Sequence, residues 1–278
     1  MKKWSWVLVG LITLTLVFSL SAYTKAGEIQ QKLTDESTIE QVMKRKVLRV
    51  GMSTFVPWAM QDKTGKLVGF EIDVATRLAK DLGVQVEFVP TKWDGIIPAL
   101  LTGKFDVIIG GMGIKTERSL KVNFSFPYDM TGQSLAANKE KAKGFKSLAD
   151  FNKENVELAV RMGTTAVDAC KKFMPKAKLR MFDDETKAFQ ELVNGNVHGV
   201  VSSAPRPRFE ALQHPDKVFM PLPEDTFTME PIAFALKKGD VDTLNVFNSW
   251  ITLVASEGWL KERKAYWFES DEWRKLVE

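Results

Sequence analysis

The chain has 278 residues, 45% of them hydrophobic, enough for one large core or two smaller ones. Its formal charge of +4 comes from 39 basic and 35 acidic residues interspersed along the sequence, a pattern that offers no nucleic-acid surface. The one cysteine, Cys170, cannot close an internal disulfide, and the two histidines, His198 and His214, have no neighbouring ligand spacing that would build a metal site.

In chain order, Lys2 and Lys3 precede an apolar run over 6–20 and the small residues Ser21, Ala22 and Ala26. This is the pattern of a signal peptide over 1–26, cleaved near Ala26, and it predicts an exported, periplasmic protein. The run sits near the lower length limit of a spanning helix, and no cysteine follows it to carry a lipid. A polar, loosely ordered stretch is expected over 28–35. Ser37 then caps a short helix over 37–46, and 47–52 reads as a strand running into a polar loop at Ser53 and Thr54. Residues 74–82 form an amphipathic helix stopped by Gly83, 84–89 alternate as a strand, 93–101 read as a helix closed by Gly103, and 106–109 as a short strand. Such alternation predicts a mainly parallel sheet with helices on its faces.

The same pattern restarts further along, without sequence repetition. Helices are expected over 145–151, 165–173 and 186–194, with strands over 156–160, 179–182 and 199–201. The chain returns through a strand over 232–236 and ends in helices over 241–257 and 259–268. The connections at 128–133 and 226–230 are the candidate crossing strands of a hinge. This divides the mature chain into a discontinuous first lobe, 27–128 with 229–278, and a second lobe, 133–226.

The motifs of catalysis are missing. In Gly110–Gly111–Met112–Gly113–Ile114–Lys115–Thr116 the order needed to cradle a triphosphate is interrupted by Ile114, and no Gly-x-Ser-x-Gly elbow exists. Polar and aromatic residues instead gather at the ends of predicted strands, where open α/β sheets bind ligands.

The segments Gly65–Lys66–Leu67–Val68–Gly69–Phe70–Glu71–Ile72–Asp73, Trp93–Asp94–Gly95–Ile96–Ile97–Pro98–Ala99–Leu100, Thr116–Glu117–Arg118 leading to Phe124–Ser125–Phe126–Pro127–Tyr128, and Arg161–Met162–Gly163–Thr164–Thr165 resemble the polar amino-acid-binding proteins of ABC transporters. The resemblance spans essentially the whole mature chain. It implies a periplasmic-binding-protein-like α/β fold, two lobes joined by a two-strand hinge, with ligand in the cleft between them. It implies Arg118 as the clamp on an α-carboxylate. A planar guanidinium suits that role because it donates two parallel charge-assisted bonds. Gly111, Gly113 and Thr165 match positions whose backbone faces the ligand. Thr164 introduces a helix whose free N–H groups favour an anion, the competing role being a plain helix cap. Phe55 and Trp93 match enclosing aromatic walls, and Ser53 lies in the same first loop. Trp58 matches a packing aromatic. Arg161 matches a position that touches the ligand side chain, implying an acidic or hydrogen-bonding group there.

Two departures concern the amine. Where relatives place an aspartate for the α-ammonium, the sequence runs Val200–Val201–Ser202–Ser203–Ala204, and the first loop, Met52–Ser53–Thr54–Phe55, lacks the acidic residue often found there. Either Glu230 compensates or the ligand lacks an ammonium. The implied partners are a small carboxylate, such as an amino acid or its analogue, and a membrane permease. No cofactor is required, and a monomer is expected. The alternative is a cyclohexadienyl or arogenate dehydratase, whose C-terminal stretch 212–216 and 259–267 resemble. Those enzymes carry a glutamate soon after the Gly-Thr segment; here Ala166 and Val167 stand there, and Asp168 falls on a different helical face.

Overall fold

The computed structural model describes residues 37–277. The expected signal peptide and the polar stretch 28–35 lie outside them. Two mixed five-stranded sheets organise the rest.

The first sheet starts with helix α1 (Thr38–Arg45), capped by Ser37, whose hydroxyl accepts from the Glu40 N–H. Strand β1 (Val47–Met52) follows at the boundaries expected from its apolar run. A two-strand hairpin, β2 (Met60–Gln61) and β3 (Leu67–Val68), leads into α2 (Phe70–Asp81). This helix starts four residues before the predicted one, because its first turn buries Phe70, Glu71 and Ile72. Strand β4 (Gln85–Pro90) pairs parallel with β1. The helix expected over 93–101 is split into a 3-10 turn at Trp93–Gly95 and α3 (Ile96–Leu101). Pro98 is accommodated in the first turn of α3, where its missing N–H would have no partner in any case.

Strand β5 (Val107–Ile108) precedes the single turn α4 (Thr116–Ser119), the long strand β6 (Asn123–Thr131) and β7 (Gln133–Asn138). The second unit continues with α5 (Leu148–Phe151), β8 (Glu157–Arg161), α6 (Thr165–Phe173), β9 (Lys178–Phe182), α7 (Glu185–Val193) and β10 (Gly199–Ser203). Helix α8 (Arg206–Gln213) and strand β11 (Val218–Phe219) were not expected from the sequence pattern. Strand β12 (Glu230–Leu236) returns to the first sheet, and α9 (Val241–Ser256) and α10 (Trp259–Lys264) pack behind it. The last predicted helix stops early, passing into a π-type turn over Ala265–Glu269.

Strand order is β4-β1-β5-β12-β6 in one sheet and β11-β7-β10-β8-β9 in the other. Both are mixed rather than mainly parallel: β12 runs antiparallel to β5 and β6, and β7 antiparallel to β10 and β11. The reversed strand in each sheet is the one by which the chain arrives from the other: β7 enters the second sheet and β12 re-enters the first. The first crossing, from β6 to β7, is strand-like, with Gly132 between. The second, over 226–229, is irregular up to Glu230 and is tied to the first by Phe227 N–H to Gln133 O at 2.8 Å and Gln133 N–H to Thr228 Oγ1 at 2.7 Å. A Cβ at Gly132 would lie 1.9 Å from Thr228 O, so only glycine lets the crossings run this close.

The core behind the first sheet is aromatic: Trp58, Phe70 and Phe268 are mutually in contact, with Trp58 to Phe268 centroids 4.6 Å apart. The cores of the second sheet consist mainly of Ala, Val and Leu. Among the described residues no helix is long and apolar enough to cross a membrane.

Candidate functional site

The ends of strands from both sheets face one cleft. Its walls include Phe55, Trp93, Gly111, Gly113 and Arg118 from the first sheet's side, and Arg161, Thr164, Thr165 and Ser203 from the second. Nine of the eleven residues named from the sequence therefore meet there. Ser53 lies just outside, in an adjoining opening shared with Thr54, Arg161 and Glu185. Glu230 stands behind Gly113, its Oε2 3.1 Å from where a Cβ of that glycine would sit.

Arg118 is delivered by α4, directly after the glycine-rich turn. Gly111 holds φ at +69°, which lets the turn fold back under Phe55 and Trp58. Arg118 is 8% exposed, and its guanidinium donates to Gly113 O at 2.8 Å and across the cleft to Gly163 O at 3.0 Å. Trp93 Nε1 donates to that same Gly163 carbonyl at 3.2 Å. Thr164 precedes α6 but its side chain does not cap it: the hydroxyl donates back to Arg161 O at 2.7 Å, so the Thr165 and Ala166 N–H groups, on residues lining the cleft, have no side-chain acceptor. The plain-cap role is thereby set aside.

Beside Arg118 is a carboxylate network. Glu230 accepts from Thr165 Oγ1 at 2.7 Å and from Gln133 Nε2 at 3.1 Å, and Gln133 Nε2 also reaches Ser203 Oγ at 3.2 Å. Glu230 and Ser203 thus share one amide. Burial lowers the Arg118 pKa from its ordinary value, and the nearby Glu230 carboxylate offsets part of that.

Arg161 ends β8 at the other side, 7% exposed, with its guanidinium over the Phe55 ring at 5.3 Å and the Trp93 ring at 5.2 Å. Its contacts to Ser53 Oγ and Thr54 O are both long, 3.4 Å, and its Nε has no partner. Burial lowers this guanidinium's pKa too, with Glu185 the largest opposing influence. Among the described residues neither cleft arginine has a carboxylate within ion-pair distance. Each guanidinium has a carboxylate nearby, Glu230 for Arg118 and Glu185 for Arg161, but none in direct contact, so buried donors remain that a bound anion or dipole can complete.

Residues that sequence reasoning missed are Gln133, Ala166, Glu185, Val201 and Ser202. Ala166 was noted only as the absence of an acid, and Ser202 only as part of the departing segment. Glu185 follows two aspartates at a helix start and reads there as an ordinary solvated first-turn acid. Its burial depends on strand β10, from which Ser202 Oγ donates to it. Asp168, by contrast, is exposed and ion-paired with Lys115 on the cleft rim. Among the described residues no group of three or more His, Cys, Asp or Glu could hold a metal ion.

Comparison with known proteins follows the same lines. Residues 48–270 match the family model described as bacterial extracellular solute-binding proteins, family 3. The L-cystine-binding protein TcyJ of Escherichia coli K12 is 30% identical over 267 residues, 95% of each chain. A cyclohexadienyl dehydratase of Pseudomonas aeruginosa is 26% identical over 235 residues, 84% of this chain and 87% of that one. The crystal structure of an ancestral amino acid-binding protein, AncCDT-1, described as a precursor of cyclohexadienyl dehydratase, is 44% identical with a TM-score of 0.76, covering 84% of this chain and 99% of the other.

Proposed function

The chain belongs to the bacterial extracellular solute-binding proteins, family 3, and from that we propose that it captures an amino acid outside the cytoplasmic membrane and delivers it to the permease of an ABC transporter. The observation that carries this reading is the pairing of a buried Arg118, bonded only to carbonyls, with the Glu230 network beside it. The α-carboxylate would take up the guanidinium's donors and the open N–H groups that begin at Thr165, a charge-assisted arrangement worth roughly 1.5–3 kcal/mol per bond. The α-ammonium would sit on Glu230, which takes over from the aspartate that relatives place near Ser203. Phe55 and Trp93 would enclose the aliphatic part.

In this reading the two lobes rotate about 128–133 and 226–230, and closure is limited by the ligand's extra contacts in the closed form. Contacts already bridging the sheets mark the closing surface: Arg118 and Trp93 to Gly163 O, Trp58 Nε1 to Ala204 O at 3.2 Å, and the ion pair of Lys92 with Asp183 at 2.8 Å. Export by a signal peptide over 1–26, a periplasmic location and action as a monomer belong to the same proposal.

We assign no catalysis. The acid that a dehydratase reading would place at Asp168 is solvent-facing and neutralised by Lys115, a poor arrangement for a proton donor. A thermal-shift screen of amino acids, keto acids and dicarboxylates tests the binding reading, since a tight ligand raises the melting temperature by mass action. Conversion of prephenate to phenylpyruvate by the purified protein would overturn it.

A further inference from the structure

At the end of the cleft away from Glu230, Arg161 and Glu185 face the same space, and each has an unmet bonding atom. Both side chains line the cleft and also the adjoining opening of about 410 Å³ bordered by Ser53, Thr91 and Lys187. Each residue is 7% exposed, and Arg161 Nε and Glu185 Oε2 are both buried without a hydrogen-bond partner. They are not within ion-pair distance of each other, so neither satisfies the other. Glu185 opens α7.

The formal charges of the cleft balance. Arg118 and Arg161 contribute +2 and Glu185 and Glu230 contribute −2, which leaves zero, while an amino-acid head group is itself neutral. The nearby charges that also act on these arginines are spent at the rim: Asp168 on Lys115, with Asp94 and Asp184 facing solvent. A side chain with net charge would enter a low-dielectric site without a counter-charge left for it.

We infer that Arg161 and Glu185 form a side-chain subsite selecting a ligand whose side chain is neutral overall but carries both an acceptor, for Arg161, and a donor, for Glu185. A primary amide or ureido group meets this description. So does, in a longer ligand reaching the adjoining opening, a second ammonium-carboxylate pair. This rests on the reading of the cleft as an amino-acid site.

The test is calorimetric titration of the full mature chain with glutamine, citrulline, L-cystine, glutamate, arginine and lysine, alongside the variants Glu185→Gln and Arg161→Gln. At least one of the first three binds wild type roughly 10²-fold or more tighter than the three charged side chains, as expected when a buried hydrogen-bonding group is left unpaired. Glu185→Gln shifts the preference toward glutamate, and Arg161→Gln toward arginine or lysine. Tightest wild-type binding of a charged side chain overturns the inference while leaving the amino-acid reading in place; binding of none of the six overturns both. Should either variant fail to fold, the wild-type ranking alone decides.

Discussion

The two ends of the cleft each hold a buried arginine, and they hold it differently. Arg118 is braced by bonds of 2.8 and 3.0 Å to backbone carbonyls, beside a carboxylate whose oxygens are also occupied. Arg161 makes only 3.4 Å contacts, keeps Nε unpartnered, and is positioned mainly by two aromatic rings. A group preset by short bonds to backbone suits a part of the ligand that never varies, whereas a loosely bonded group suits the part that sets specificity. Such preorganisation lowers the ordering cost of binding.

The comparison breaks most readily at Arg118. Arg118→Ala is expected to abolish high-affinity binding, a loss of about 3 kcal/mol or more from two charge-assisted bonds. The apo protein should stay folded, since the mutation removes a buried charge rather than packing. Calorimetry together with the melting temperature checks both statements; near wild-type affinity would show that the braced end is not where the carboxylate binds.

Glu230→Gln should come next, weakening amino acids by about 1.5–3 kcal/mol while sparing the matching keto acids, because only the ammonium loses its charged acceptor. Equal losses for both ligand types would assign Glu230 to fold support through Thr165 and Gln133. Trp93→Ala touches both ends, since its ring lies under Arg118 at 5.8 Å and Arg161 at 5.2 Å. It should cost about 1–3 kcal/mol of affinity. A large drop in apo melting temperature would instead mark Trp93 as core.

The smallest effect on binding is expected beneath the braced end, where the Tyr128 hydroxyl lies 2.8 and 2.7 Å from the two Glu71 carboxyl oxygens and the Gly111 N–H donates to the same carboxyl. Burial raises its pKa from 4.5 to about 8. The folded state therefore binds the proton more tightly, so this contribution to stability is present in full below pH 4.5 and is lost as pH rises toward about 8. His198, its pKa lowered by burial, acts in the opposite direction near its own range. The denaturant midpoint should consequently show a stability loss between pH 5 and 8 that shrinks in Glu71→Gln; an unchanged pH profile would place the proton elsewhere.

Much of the braced end was legible in the sequence, because its parts are local: a glycine turn, an arginine shortly after it, and a Gly-Thr-Thr helix start. The boundaries of β1 and α6 follow directly from an apolar run and from a helical pattern behind a glycine. The loose end was half legible. Arg161 stands beside the Gly-Thr motif, but Glu185 becomes a cleft residue only when α7 packs against β10, and no local pattern separates it from the half-buried Asp183 and exposed Asp184 before it. Gln133 was hidden for the same reason, since its three amide contacts are to residues 32, 70 and 97 positions away. Strand β6 was under-read because Pro127 and the polar Asn123 and Ser125 interrupt its apolar pattern, although its register with β12 accommodates them through bulges.

The most direct test of the central claim, that Arg118 and Glu230 together read the head group of an amino acid, is a paired calorimetric titration of the wild-type protein. The amino acid giving the largest melting shift is compared with the 2-keto acid of the same side chain. The carboxylate is common to both, so only the ammonium differs. One charged hydrogen bond to Glu230 predicts an amino acid preference of about 10- to 150-fold. Equal affinity for the two ligands would contradict the account.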